Sequence, residues 1–239
     1  MSTMRLDKFL ALSGVGTRSE VKKKIKNGEI KINGETAEKP EMKVDPERDS
    51  ITYGNELLSY HSFLALMFHK PAGCITAVSD PSHKTVMDFI DCPQKSQLFP
   101  VGRLDIDTEG LLLFLNDGDL AHKMLSPRHH VEKTYYVETE GILTEEDILA
   151  FQEGVDIGEK NPTLPAKLTI LESGVRSKAE LTICEGKFHQ VKRMFADRGK
   201  KVCYLKRISM GGIKLDESLA PGKWRYLTEE ESAMLQILK

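Results

Sequence analysis

No two cysteines in this chain stand at the C-x-x-C spacing of a zinc or redox motif; Cys74, Cys92, Cys184 and Cys203 are scattered singly. That arrangement suggests neither a zinc site nor a disulfide framework, and the expectation is four buried thiols in a reducing cytosol. Long apolar runs are missing too. No stretch approaches the roughly 18 apolar residues of a membrane span, and the opening MSTMRLDKFLALSG lacks the apolar core of a signal peptide. A soluble cytoplasmic protein is expected. Internal repeats and low-complexity segments do not occur.

What is present is a chain of 239 residues, 40% hydrophobic and 29% charged, able to bury a sizeable core in one or two domains. Its net charge of -2 hides an uneven distribution. Residues 1–33 carry eight Lys or Arg against three Asp or Glu, and residues 34–60 reverse this with three against seven. Residues 186–207 then carry eight basic side chains against the single Asp197. Two basic patches on a near-neutral chain point to a localised polyanion contact.

The N-terminal patch has a helical pattern. Leu6, Phe9 and Leu10 at i, i+3, i+4 predict a short amphipathic helix. Thr17 and Glu20 form a capping-box pattern for a second, with Val21 and Ile25 inside and Asn27-Gly28 as its stop. On that helix Arg18, Lys22 and Lys26 share one stripe with Lys23 beside it, a cationic ridge whose bland alternative is a solvated face. Asn33-Gly34 is a hairpin signal after the strand-like Glu29–Ile32. Met4 to Asn55, with RLDKFLA, the basic helix and EIKINGE, resembles the S4 domain, a small RNA-binding module. The resemblance implies that these basic residues meet structured RNA through its phosphates.

Residues 54–62 lack a period and are taken as a linker between a domain at 1–60 and another at 61–239. Beyond it the pattern predicts strands at 63–68, 111–115, 133–139, 167–172, 178–185 and 201–208. Helices are predicted at 84–90, 119–125, 145–154 and 188–198 and at the C-terminus, with HKPAG (69–73) read as a turn. Many strands without regular β-α-β alternation predict an α+β fold on a mixed or antiparallel sheet.

The chemistry-bearing stretch is VGRLDIDTEGLLLFLNDGD, Val101 to Asp119, where a carboxylate-rich loop feeds the most apolar strand in the chain. Asp105 and Asp107 together admit a metal-binding D-x-D reading, as in glycosyltransferases, although nothing nearby completes such a site. Asp107 reads more simply as a turn or cap. For Asp105 alone, an ordinary ion pair with Arg103 is the plain alternative.

GRLDIDTEGLL, with HKPAG, EKTYYV and EGKFHQVKRMF, closely resembles the pseudouridine synthases of the RsuA type, which isomerise a uridine in small-subunit ribosomal RNA. The resemblance implies that Asp105 is the catalytic carboxylate, that Tyr135 stacks on the flipped base, and that a cation of the H-Q-V-K segment keeps the carboxylate ionised. Lys192 is assigned that cation, with Arg193 as the substitute. Arg103 is assigned to the space vacated by the base or to its phosphate, and Tyr136, on the opposite strand face, to the core. His129 and His130 suit RNA contact or loop packing, since no third ligand completes a metal site. Ile213 and Leu215 suit pocket walls or ordinary core. No cofactor, metal or membrane is implied, and the partner is ribosomal RNA or a small-subunit assembly intermediate. Alternatives are the related branch that modifies large-subunit RNA, and a non-catalytic S4-type RNA-binding or ribosome-assembly protein.

Overall fold

The computed structural model describes residues 3–58, 60 and 63–237. They fall into two compact units, Met1–Leu64 with Asp91–Leu98, and Ala65–Ile90 with Phe99–Lys239. The single cut expected after residue 60 therefore misses Asp91–Leu98, which joins the first unit, where Gln97 Nε2 donates to the Leu12 carbonyl at 2.6 Å. Of the expected linker, Gly54-Asn55 is a hairpin turn followed by the strand Glu56–Leu57; Ser59, His61 and Ser62 lie outside the described residues.

In the first unit the helices Leu6–Leu12 and Arg18–Lys26 pack on a four-stranded sheet ordered Glu35–Thr36, Ile30–Ile32, Ile51–Tyr53, Glu56–Leu57. Thr17 and Glu20 form the reciprocal capping box, satisfying two donors at the helix start. Asn33 and Gly34 both have positive φ, 53° and 89°, as the tight hairpin turn requires. Val21 and Ile25 are buried among Leu6, Phe9, Leu10, Ile30 and Ile51, each burial contributing about 1.5–3 kcal/mol. That inward stripe leaves Arg18, Lys22, Lys23 and Lys26 exposed. Lys24 alone is drawn aside, its Nζ donating to Tyr53 Oη at 2.6 Å.

The second unit is built on a nine-stranded mixed sheet, in keeping with the α+β expectation. Its order is Lys167–Glu172, Arg176–Ile183, Lys133–Glu140, Lys201–Met210, Glu109–Leu115, Ala65–Lys70, Trp224–Tyr226, with Phe99–Pro100 and Ile213–Lys214 as side branches. Every pairing is antiparallel except that of Lys201–Met210 with Glu109–Leu115. At that parallel junction Gly110 faces Arg207, and a Cβ on Gly110 would sit 2.2 Å from the Arg207 carbonyl oxygen. With φ at +106° as well, only glycine fits there. Strands 65–70 and 109–115 are buried on both faces, which explains the apolar runs 65–68 and 111–115 within them.

Several local readings change. His69 and Lys70 end the strand Ala65–Lys70 instead of opening the turn, because Lys70 is needed inside, and the turn begins at Pro71. The basic helix spans Gln190–Asp197, with Phe188 and His189 outside it and His189 in the left-handed region at φ 49°. Cys74 and Cys92 are buried as expected, but Cys184 is half-buried and Cys203 exposed, the latter on the outward face of its strand. Tyr136 is not core: it lies half-buried on the opposite sheet face, edge-on to Tyr204 with ring centroids 6.1 Å apart. Thr134, Tyr136, Tyr204 and Leu215 line an open hollow of about 640 Å³ on that face. Ile213 is 1% exposed and belongs to the core.

Candidate active site

The loop 101–108 is held as a rigid frame before any charge is considered. Val101 N donates to Leu113 O at 2.7 Å, and Thr108 N closes a turn onto Asp105 O at 3.1 Å. Leu104 turns inward and is buried beside Tyr135, Val191 and Leu205, so its neighbour Asp105 points outward. From the preceding segment Gly73 N donates to Ile106 O at 2.7 Å, and Thr76 Oγ1 both donates to Leu104 O and accepts from Leu104 N. Lys70, 0% exposed, places its ammonium within 2.9 Å of the carbonyls of Asp105 and Thr108 and 3.1 Å of that of Pro71. Burial pushes the Lys70 amine below its ordinary value, with nearby Cys74, Asp105, Asp107 and Glu109 opposing that shift. A buried lysine that spends its protons on loop carbonyls fixes the backbone from which Asp105 projects.

Asp105 faces one ammonium and one imidazole. Lys192 Nζ stands 3.1 Å from Asp105 Oδ2, and His189 Nε2 stands 3.5 Å from Oδ1. The Asp105 and Lys192 side chains are 28% and 27% exposed, open enough for a substrate to reach them. Lys192 also donates to Asp107 Oδ1 at 2.6 Å. Asp107 is a central residue of the turn that Thr108 N closes onto the Asp105 carbonyl, as its sequence position suggests, and its side chain is in addition a partner of the lysine. Burial lowers the affinity of Lys192 for its proton, but hydrogen bonds to Asp107 and Asp105 outweigh that and raise it. The same hydrogen bond holds the Asp107 carboxyl below the usual carboxylate range. Helix Gln190–Asp197 brings Lys192 here because Val191, Met194 and Phe195 face the core, leaving the lysine on the adjoining flank.

Tyr135 is 7% exposed, between Leu181 and Arg207 on the neighbouring strands. With Arg103, Asp105, Lys133, Phe188, His189 and Arg207 it lines an open cleft of about 440 Å³. Arg103 is exposed at the rim, and the ion-pair partners of Asp105 are Lys192 and His189, so the plain Arg103 pairing does not form. Arg193 does not reach the carboxylate either. It pairs with Glu159 at 2.8 Å and donates to the carbonyls of Phe188 and Ile157. His129 and His130 are exposed in a short turn away from these groups. Among the described residues no group of three or more His, Cys, Asp or Glu is placed to hold a metal ion.

Sequence reasoning passed over Lys70, His189, Lys133 and Arg207. HKPAG and EKTYYV contained the first and third, and alternation along a strand was signal enough: Lys133, two residues before Tyr135, shares its face. Arg207 gave no such signal, because its alignment with Tyr135 depends on strand order.

This constellation is a carboxylate with a fixed backbone, an adjacent ammonium, and an aromatic wall in a cleft. It suits attack on, or proton removal from, a sugar beside a stacked base. Residues 65–197 match the RNA pseudouridylate synthase family, and residues 4–49 match the S4 domain. The chain is 47% identical, over 97% of its length and 98% of the relative's, to the uncharacterized RNA pseudouridine synthase YtzG of Bacillus subtilis. It is 42% identical to the ribosomal small subunit pseudouridine synthase A of Escherichia coli K12, covering 96% and 99% of the two chains. A solved structure described as a pseudouridylate synthase superposes with a TM-score of 0.68 at 42% identity, covering 97% of this chain and 99% of that one. On these matches, which span almost the whole sequence, the chain belongs to the RNA pseudouridylate synthase family, in the branch that carries an N-terminal S4 domain.

Proposed function

We propose that this protein converts one uridine of small-subunit ribosomal RNA to pseudouridine, with Asp105 acting on the ribose. The observation that carries this reading is the Asp105 carboxylate held 3.1 Å from Lys192 in a cleft walled by Tyr135. The conversion cuts C1'–N1, turns the uracil while it stays bound, and joins C5 to C1'. It needs neither redox equivalents nor a group donor. Asp105 either attacks C1' or removes a sugar proton; both routes require an ionised carboxylate beside the ribose. Tyr135 stacks on the extruded base, Lys192 holds the carboxylate charged, and Arg103 at the rim meets the RNA backbone or fills the vacated stack. The ridge of Arg18, Lys22, Lys23 and Lys26 docks RNA through phosphates. The small-subunit assignment follows the ribosomal small subunit pseudouridine synthases A of Escherichia coli and Haemophilus influenzae, to which the chain is 42% and 43% identical. The protein acts in the cytoplasm, on ribosomal RNA or an early small-subunit particle, without a cofactor.

Two measurements test this. A pseudouridine map of ribosomal RNA from cells with and without the protein should lose a single small-subunit position; loss of a large-subunit position alone would refute the substrate assignment. Asp105→Asn keeps the shape of the side chain and removes its charge, so folding and RNA binding should persist while product formation disappears. Asp107→Asn should be milder, because Lys192 keeps Asp105. Parental turnover by a folded Asp105→Asn variant would end the assignment.

A further inference from the structure

Beneath the cleft lie two cations that no carboxylate neutralises. Lys133 and Arg207 are 4% and 2% exposed and stand on adjacent strands, lining the same cleft as Asp105 and Tyr135. Lys133 Nζ donates to the Val131 carbonyl at 2.8 Å, and Arg207 Nε to the Leu111 carbonyl at 2.7 Å. One terminal nitrogen of Arg207, Nη2, is buried with no hydrogen-bond partner. Neither side chain belongs to an ion pair among the described residues. Burial, and then the nearby charge of Arg207, weaken the hold of Lys133 on its proton, while Cys184 opposes them. Holding two like charges in an interior without an anion works against folding. Folding alone would be served better by apolar residues of the same volume.

The reaction supplies a transient anion. When C1'–N1 breaks, the bonding pair leaves with the uracil, and the detached ring carries one negative charge spread over N1, O2 and O4. The ring then turns, C5 bonds to C1' with a pair from that anion, the proton on C5 is lost, and N1 gains a proton. Atoms and charge balance as in any isomerisation. We propose that Lys133 and Arg207 are catalytic residues that hold the detached uracil as an anion, the Lys133 ammonium and the free Arg207 nitrogen donating to its ring oxygens. Donors fixed in advance where charge develops stabilise a transition state without reorganising. The Tyr135 ring, on the same strand face as Lys133, supplies the stacking surface on which the detached ring turns. A backbone phosphate is the other anion two cations could take, but it would be bound equally before and during bond breaking, so it would affect RNA affinity instead of the rate of conversion.

The inference rests on the uridine-isomerising reading, and its tests separate from that reading. With a short transcript spanning the mapped uridine, Lys133→Met and Arg207→Met should each lower the single-turnover rate at saturating RNA by about 10²–10³-fold. RNA affinity should stay within about threefold, and Lys133→Arg and Arg207→Lys should recover at least about tenfold of the rate. Weakened affinity with the saturated rate intact would assign the pair to phosphate and overturn the proposal. A second arm needs no variant, so it survives any loss of folding and any failure of turnover. Calorimetry on the parental protein should show barbiturate, an anionic pyrimidine at neutral pH, binding at least about tenfold tighter than uracil, with inorganic phosphate not displacing it. Equal binding of the two pyrimidines, or displacement by phosphate, would overturn the proposal. A parental protein that makes no pseudouridine in the transcript would refute the isomerase reading by itself.

Discussion

Replacing Lys70 with methionine tests how much of the site is made by the loop's backbone. The ammonium serves the carbonyls of Asp105 and Thr108 at 2.9 Å and that of Pro71 at 3.1 Å. Methionine matches the stem in volume, so no large cavity opens, but those acceptors lose their donor. Each hydrogen bond lost from a charged donor costs about 1.5–3 kcal/mol, or about 4.5–9 kcal/mol for three, the lower part applying because the Asp105 carbonyl keeps its bond from Thr108 N and that of Pro71 its contact with Cys74 Sγ. Against this stands the several kcal/mol spent on burying the ammonium, which the variant no longer spends. The folded-state pKa of Lys70 is depressed, so between the folded and unfolded values the unfolded chain binds more protons and stability rises with pH. Below that window the full cost of the charge is present, and its removal offsets much of the lost bonding. The expected net loss is about 2 kcal/mol, a fall in the melting temperature of about 4–8 °C. Turnover should suffer far more, because a shift of about 1 Å in a reacting group costs on the order of 100-fold. The assay pairs thermal unfolding with single-turnover pseudouridine formation on the same preparation. Turnover within about threefold of the parent at the lowered melting temperature would show that Val101, Leu104 and Thr76 alone position Asp105, and the reasoning would be wrong.

Tyr135→Phe should retain RNA binding and most stacking, whereas Tyr135→Leu should lose on the order of tenfold or more in turnover; equal rates for leucine and tyrosine would remove the stacking role. Neutralising Arg18, Lys22, Lys23 and Lys26 together should weaken RNA binding and reduce the slope of log affinity against log salt by up to about four, and an unchanged slope would make the ridge a solvated surface. Lys133 has its pKa lowered to about 8, mainly by burial and then by Arg207, with Cys184 opposing. Its charge is therefore present below about pH 8 and lost above it. Turnover should fall on the alkaline side near that value, and Lys133→Arg should abolish the fall although Asp105, Lys187 and His189 line the same cleft. A profile still falling near pH 8 in the arginine variant would assign the change elsewhere.

The fold was legible where one element's own pattern decides it. The capping box at Thr17, the Asn33-Gly34 turn and the apolar 111–115 run form where the pattern puts them. Strand order was not legible, because alternation says which face a residue occupies and nothing about its neighbour. For that reason the Lys192 contact with Asp105 needed a family resemblance to be foreseen, while the placement of Arg207 beside Tyr135 escaped. Asp107 lies in the turn its sequence position suggests, but that local use gives no hint of its side-chain partner, which lies 85 positions away. Arg193 was offered as a stand-in for Lys192, but one residue along a helix is a rotation of about 100°, which carries it to Glu159.

The two-carboxylate grip on Lys192 has a dynamic consequence. On the proposed function, a ribose that draws Asp105 aside leaves the ammonium moored to Asp107 at 2.6 Å, so it need not be rehydrated or follow the carboxylate. Asp107 is then a mooring post: Asp105 alone would change partners, and the cation beside it would stay in place.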